Sequence, residues 1–304
     1  MAAQELVFST VNGLSISLDV TIPSTATAAN PAPALLWWHG GGLLQGTRKA
    51  SWPHLNAAPE KHGLAFISAD YRLAPQVRLP EILSDIKAAM EFVRSPEFAE
   101  ATGNRIDASK LVVSGGSAGG WLALLAGTGV GFKACGIEPP AAPSVVAAIY
   151  PISDLLDPFW NTKQEKVSYF PRRIEGSELA EYLDPKAPAS AFSASDSPRS
   201  IFYHYMVQEA LLPSLLLDGT GIAPEAFSIA PALASGEFSA PPTYVVHGTI
   251  DDKVPIQQSK DVVAALEAKG IASEFEVREG DDHLFDMSKD VTLDRMYAFI
   301  NKHL

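Results

Sequence analysis

The run Gly115-Gly116-Ser117-Ala118-Gly119 constrains this chain more than any other stretch. It follows the apolar Leu111-Val112-Val113 and opens the small-residue segment Gly120-Trp121-Leu122-Ala123-Leu124-Leu125, which places a serine on a turn between a strand and a helix. Such a turn is so sharp that the residues flanking the serine must be small, and its backbone lifts the hydroxyl clear of the sheet. A second glycine run, His39-Gly40-Gly41-Gly42, follows the apolar Ala34–Trp38. A loop of that kind offers backbone N–H groups to a developing oxyanion.

The rest of the chain supplies a frame for these two turns. Val7 to Val11 and Ser15 to Ile22 alternate around Asn12-Gly13, which predicts an antiparallel hairpin. Apolar runs recur at Ala34–Trp38, Leu64–Ala69, Leu111–Val113, Val145–Tyr150, Pro242–Val246 and Glu274–Val277, with helical patterns between most of them. Glu81 to Arg94 puts Ile82, Ile86, Ala89 and Phe92/Val93 on one face, Val262, Val263 and Leu266 do the same later, and Met287 to Ile300 reads as the closing helix. This alternation predicts an α/β fold: a mostly parallel eight-stranded sheet with helices on both faces.

The stretch from residue 155 to residue 240 breaks the alternation and is too long for a simple connection. It reads as a cap inserted into a catalytic domain made of residues 1–154 and 241–304. Ser197-Pro198 predicts an N-cap and first-turn proline for a helix carrying Phe202, Tyr203, Tyr205 and Met206, with Pro213 kinking or ending it.

Composition removes several classes of function. A net charge of -12 with scattered Lys and Arg leaves no basic patch for nucleic acid. One cysteine, Cys135, permits no internal disulfide and fits a reducing compartment. The first residues, Met1-Ala2-Ala3-Gln4-Glu5, lack a basic, apolar leader pattern, and no apolar run reaches membrane-spanning length. The expectation is a cytoplasmic protein that does not engage membranes. The ending Lys302-His303-Leu304 matches a peroxisomal signal in its final two positions only. No H-E-x-x-H or paired-cysteine spacing predicts a metal, and no cofactor is expected. Asp252, Asp281 and Asp282 read as solvated surface rather than as a cation site.

A serine hydroxyl needs a base to take its proton and a carboxylate to orient that base. The strand Thr243–Val246 runs into His247-Gly248-Thr249-Ile250-Asp251-Asp252, which puts acids at a strand's carboxyl edge. The strand Phe275–Val277 runs into Gly280-Asp281-Asp282-His283-Leu284-Phe285, which puts a histidine on the neighbouring loop. Serine, acid and histidine follow one another in the order used by one large group of hydrolytic folds. His39 and His247 read as structural residues at strand ends.

With these motifs in place the chain resembles the α/β-hydrolase superfamily, and it is similar in particular to the hormone-sensitive-lipase-like esterases. Asp70-Tyr71-Arg72-Leu73-Ala74-Pro75, with Leu79-Pro80 and Asp85, extends the resemblance. The resemblance implies Ser117 as nucleophile, His283 as general base and acid, and Asp251 as orienting carboxylate, because the family pattern H-G-x-x-D-x-x-V-P selects Asp251 over Asp252. It implies an oxyanion hole made by the amides of Gly41, Gly42 and Ala118. The chain departs from that group at Gly116, where Asp is frequent, at Trp121, where Asn is frequent, and at Gln76, where Glu is usual.

The expected activity is hydrolysis of a small to medium hydrophobic carboxylic ester through an acyl-enzyme, with Trp121, Tyr203, Tyr205 and Phe285 lining the substrate pocket. A thioesterase, peptidase, formamidase or non-hydrolytic lyase or cyclase, such as one serving specialised metabolism, would use the same fold. A ligand receptor in a retired hydrolase pocket is the reading from another class. It is opposed by the presence of all three residue types in order.

Overall fold

The alternating signals resolve into one eight-stranded sheet in the order β1-β2-β4-β3-β5-β6-β7-β8. The structure is a computed structural model and describes residues 3–194 and 196–304. Met1 and Ala2, at the start of the chain, and Ser195, within the expected cap, lie outside the described residues. β1 (Gln4–Val11) and β2 (Leu14–Thr21) form the hairpin. Asn12 and Gly13 at its tip both have positive φ, 52° and 82°, as a tight turn matched to strand twist requires.

β3 (Ala32–Trp38), β4 (Ala65–Ala69), β5 (Ile106–Gly116), β6 (Val145–Ile149), β7 (Thr243–Gly248) and β8 (Ser273–Arg278) run parallel to one another, while β2 meets β4 antiparallel. β4 and β6 are buried along their whole length, as expected of strands covered on both faces. The period of two divides β3 between two cores: Leu36 and Trp38 face one, Leu35 and Trp37 the other.

The first core is closed by α2 (Leu79–Val93), α4 (Ala118–Thr128) and α10 (Ile256–Ala268). The second is closed by α1 (Pro53–His62) and α11 (Asp294–His303). A short α3 (Pro96–Ala101) leads into β5. From β3 the chain steps to β4 on one side, and from β5 it steps to β6 on the other. The carboxyl ends of β3 and β5 therefore flank the point where strand order reverses, the usual crevice for a ligand in an open parallel sheet.

Two expected helices differ from the sequence pattern. The closing helix begins at Asp294, not Met287: Phe285–Met287 is a single 3-10 turn, and Leu293, with φ 49°, stands outside helical geometry just before α11. The aromatic helix is shorter than its pattern. Pro198–Ile201 is a 3-10 turn whose Ser197 makes no side-chain cap, α7 spans Phe202–Glu209, and Ala210 at φ 56° ends it. Pro213 then sits in the first turn of α8 (Leu212–Leu217), where its missing N–H is harmless, so it starts a helix instead of kinking one.

The remaining helices between residues 155 and 240 are α5 (Pro158–Asn161), α6 (Ala180–Leu183) and α9 (Ile229–Ala234). Arg199, 5% exposed, joins this segment to the turns beside β3 and β4 by donating to the carbonyls of Leu44 and Ala74 and to Gln76 Oε1. The Gln76 amide in turn donates to the carbonyls of Tyr182 and Asp184 at 2.7 and 2.9 Å. A glutamate in its place could not donate, which accounts for the glutamine.

Candidate active site

Ser117 sits between β5 and α4 at φ 58°, ψ −121°, a conformation that costs a non-glycine residue roughly 1–3 kcal/mol. The surrounding backbone holds it there. Its amide donates to Ile149 O at 2.9 Å and its carbonyl accepts from Trp121 N at 3.1 Å. The flanking glycines are required by close approach: a Cβ on Gly115 would lie 2.2 Å from the Gly119 carbonyl carbon, and one on Gly119 would lie 2.0 Å from Trp38 O.

The loop after β3 approaches the same point. Gly41, at φ 99°, has no room for a side chain, because a Cβ would meet Gln45 O at 2.2 Å. Among the described residues the amides of Gly41, Gly42 and Ala118 have no hydrogen-bond partner in the chain, and Ala118 opens α4, where helix N–H groups are free to meet an anion. The loop is braced from behind by the Asp70–Pro75 motif. Tyr71 stacks on His39 with ring centroids 4.3 Å apart and donates to His39 O at 2.8 Å. His39 Nδ1 lies 2.8 Å from Gly40 O, and burial pushes the imidazole down to about 4. Arg72 holds Asp85 on α2 with a buried two-pronged ion pair, its Nη2 2.8 Å from Oδ1 and its Nε 2.9 Å from Oδ2.

Asp251 and His283 come from loops after β7 and β8 and meet with Nδ1 2.6 Å from Oδ2. The carboxylate is fully used. Oδ1 accepts the amides of Lys253 and Val254, both at 2.9 Å, and Oδ2 also faces His247 Nε2 at 3.1 Å. Burial raises the Asp251 carboxyl, but hydrogen bonds from His247 and His283 and the His283 charge outweigh it and hold the group well below the usual carboxylate range. An acceptor fixed this way favours the His283 tautomer with its hydrogen on Nδ1. His247, read from the sequence as structural, also has Val254 O at 3.0 Å from its Nε2, so it ties the loop backbone together beside the same carboxylate. Asp252 instead pairs with Lys253 at 2.6 Å, and that ammonium also reaches Asp282 at 3.2 Å. Arg278 pairs with Asp281 at 2.6 Å.

Ser117 and His283 open onto one cavity of about 280 Å³. Of the four residues expected to line it, only Tyr203 does so, with its hydroxyl donated to Lys253 O at 2.6 Å. Trp121 is fully buried and points its indole N–H at Phe227 O, 3.3 Å away, so it joins α4 to the inserted segment instead of meeting a substrate. Tyr205 lies on the other side of α7, where its hydroxyl fills the space beside Gly176. Phe285 turns away to meet Tyr150 edge-on at 5.3 Å and to lie under the Arg278 guanidinium. Gly41 lines the cavity, whereas Gly42 packs beneath Tyr203 and Met206.

Trp37, Trp52, Tyr150, His204 and Lys253 also line the cavity, and no sequence pattern marks them. Burial, and then the Lys253 charge, push His204 down to about 4. Among the described residues no group of three or more His, Cys, Asp or Glu side chains is placed to hold a metal ion. No described helix is long and apolar enough to cross a membrane.

Comparison with known proteins agrees with this architecture. The BD-FAE family model matches residues 18–203, and the model described as prolyl oligopeptidase family matches residues 219–304. A non-reducing polyketide synthase of Emericella nidulans is 30% identical over 338 residues, covering 95% of this chain and 13% of that protein. Methylphloroacetophenone synthase of Cladonia uncialis is 28% identical over 323 residues, covering 93% of this chain and 12% of that protein. The chain therefore spans only a small part of the relatives it matches. Among solved structures, Thermogutta terrifontis esterase 2 superposes with a TM-score of 0.66 at 19% identity, covering 99% of this chain and 91% of that one. A Staphylococcus aureus protein of unknown function superposes with a TM-score of 0.73 at 18% identity, covering 99% of both chains. At these identities the structural matches speak for the fold. The chain belongs to the BD-FAE family, within the α/β-hydrolase superfamily.

Proposed function

We propose that the chain is a serine acyl hydrolase that cleaves a carboxylic ester or thioester through an acyl-enzyme. The observation that carries this reading is His283, tied by Nδ1 to Asp251 at 2.6 Å and opening onto the same cavity as Ser117. In the first half-reaction His283 Nε2 takes the Ser117 proton as Oγ attacks the carbonyl carbon, and the oxyanion is received by the amides of Gly41, Gly42 and Ala118. The tetrahedral species collapses as His283 returns the proton to the leaving alcohol or thiol. Water, deprotonated by the same nitrogen, then releases the acid and frees Ser117.

Residues 155–240 act as the cap of this site, supported by Tyr203 and His204 at the cavity wall and by the Arg199 contacts to the loop beyond β3. A site of about 280 Å³ suits a compact acyl group more than a long lipid chain. The single cysteine, Cys135, fits the reading of a cytoplasmic protein.

A thioester substrate is favoured by one specific observation: the relatives at 30% and 28% identity are polyketide synthases. On this reading the chain hydrolyses a polyketide acyl group from a thiol carrier. Steady-state rates on matched aryl esters and N-acetylcysteamine thioesters of the same acid test it. Turnover of either, abolished in Ser117→Ala, supports the acyl hydrolase, and a kcat/KM preference for the thioester supports the second reading. Turnover that survives in Ser117→Ala overturns both.

A further inference from the structure

The wall behind His283 contains charged and polar groups that the acyl-transfer scheme does not use. Asp286, three residues beyond His283, is 0% exposed. Its Oδ1 accepts the Tyr150 hydroxyl at the end of β6, and its Oδ2 lies 3.2 Å from His54 Nε2 on α1. Tyr297 on α11 donates its hydroxyl to the His54 carbonyl at 3.0 Å and lies 3.0 Å from His54 Nδ1, while the Asp286 carboxylate, which can only accept, faces a hydrogen on Nε2. Tyr150 in turn packs its ring on the His283 imidazole, with centroids 4.2 Å apart and planes at 48°.

We propose that Asp286, Tyr150 and His54 form a buried positioning unit for His283: Asp286 pins the histidine loop to β6 and α1, and the Tyr150 ring, its hydroxyl given to that carboxylate, backs the imidazole as it takes up the Ser117 proton. Three observations converge on it. Tyr150 is held at φ 37°, an unusual conformation for an aromatic residue, which aims the ring at His283. A Cβ on Gly116 would lie 3.1 Å from both Cε2 and Oη of Tyr150, so the absence of a side chain just before the nucleophile is what admits the ring. Burial and the Asp286 charge push the Tyr150 hydroxyl far above its usual range, so it remains a donor.

The chemistry follows from these contacts. A phenol that donates to a carboxylate has a more electron-rich ring, and such a face attracts a cation within about 6 Å of its centroid. His283 becomes a cation when it holds the Ser117 proton. The unit therefore acts where charge develops, while Asp251 orients the ring from its other side.

Several other charges face this region. Asp251 bonds His283 directly, and Asp282 accepts the His283 amide at 2.6 Å. Lys253 is held by Asp252 and Asp282, and Arg278 by Glu276 and Asp281, with its guanidinium over Phe285. Among the described residues Asp286 has no Lys or Arg partner and is held by His54 alone among basic groups.

The proposal rests on His283 being the base for Ser117, and the test separates the two. The rate of Ser117 labelling by a fluorophosphonate, followed by intact mass against pH, is measured for wild type, His283→Ala, Asp286→Asn and Tyr150→Phe, with a melting curve for each. Asp286→Asn keeps the size and an acceptor for Tyr150 but loses the charge. It is expected to move the acid limb of the labelling profile down by about half to one pH unit and to slow labelling about tenfold at neutral pH. Tyr150→Phe keeps the ring but not the polarising hydrogen bond, and a smaller shift in the same direction is expected. It carries the test if Asp286→Asn does not fold. An acid limb that stays in place in the folded variants, with only the melting temperature changed, overturns the proposal and leaves His283 as base. Labelling that persists in His283→Ala overturns the reading on which it rests.

Discussion

His247 Nε2 lies 3.1 Å from Asp251 Oδ2, the oxygen that His283 Nδ1 approaches at 2.6 Å. One carboxylate thus faces two imidazoles, and His247 is fixed independently by Ser259 Oγ at 2.7 Å from its Nδ1 and by Val254 O at 3.0 Å from its Nε2. Asp251→Asn would present an amide where an acceptor is needed and favour the wrong tautomer of His283. A loss of about 10³–10⁴ in kcat is expected. Asp252→Asn weakens a Lys253 contact and a long Ser168 hydrogen bond and should stay within about threefold, as for an ordinary surface pair. His247→Ala should fall between the two, since the loop that carries Asp251 loses the imidazole held by Val254 O and Ser259 Oγ. Ester and thioester kinetics of the three variants check the ranking, and an Asp252→Asn variant more damaged than Asp251→Asn would reassign the acid.

Stability should fall between pH 6.5 and 4 because of His39, with His204, also pushed down to about 4, acting in the same direction. Burial lowers the His39 imidazole from an ordinary 6.5 to about 4, so across that interval the unfolded chain binds a proton that the folded chain refuses. The contribution is fully present above pH 6.5 and lost as pH falls toward 4, up to about 3 kcal/mol at ~1.4 kcal/mol per unit. Asp251, whose folded value is depressed, acts in the same direction but only below its ordinary 3.8. Urea denaturation of wild type and His39→Gln at pH 7 and pH 4.5 measures the difference. The variant should lose less stability on acidification, and an equal loss in both proteins would assign the effect to other groups.

Arg199 should prove the strongest single tie between the inserted segment and the loop beyond β3. Its removal leaves the carbonyls of Leu44 and Ala74 and the Gln76 side chain without their donor in a buried place. Arg199→Ala is expected to cost about 2–5 kcal/mol, because buried acceptors lose a charged partner. It should also raise KM, since Tyr203 and His204 follow it in the chain and line the cavity. A melting temperature and KM both unchanged would mean that the segment docks by its apolar contacts alone.

The frame was legible because β-strands buried on both faces leave near-continuous apolar runs, and the two glycine turns announce themselves by what a Cβ would strike. The cavity wall was not legible. Trp121 and Phe285 are neighbours of Ser117 and His283 along the chain, yet α4 turns the first into the core and the 3-10 turn at Phe285–Met287 turns the second toward Arg278. Nearness in sequence says nothing about which way a side chain leaves a turn. Tyr205 failed for a related reason: on α7 it is two residues from Tyr203, and residues so spaced do not share a helix face. Tyr150 and Asp286 were hidden because a tyrosine closing an apolar strand and an acid in an acidic loop carry no pattern of their own. Their contact exists only once β6 and the loop after β8 are brought together.

Gly119→Ala should be among the most damaging small substitutions available. Its Cβ would enter to within 2.0 Å of Trp38 O, backbone against backbone, with nothing flexible to give. A loss above about 4 kcal/mol, or no folded protein, is expected. Gly13→Ala serves as the comparison, because it meets nothing within 4 Å and carries only the strain of its positive φ. Comparable melting temperatures for the two variants would show that the elbow can open without cost.

The central claim is that Ser117 is a nucleophile activated by His283 beside a prepared oxyanion site, and covalent trapping tests it most directly. A fluorophosphonate places phosphorus where the acyl carbon would stand and its oxygen where the oxyanion would sit. Intact mass and peptide mapping of the protein treated at neutral pH should show one adduct, on Ser117, that is absent in Ser117→Ala and strongly slowed in His283→Ala. Folded wild-type protein that stays unlabelled, or that is labelled at another residue, would contradict the account.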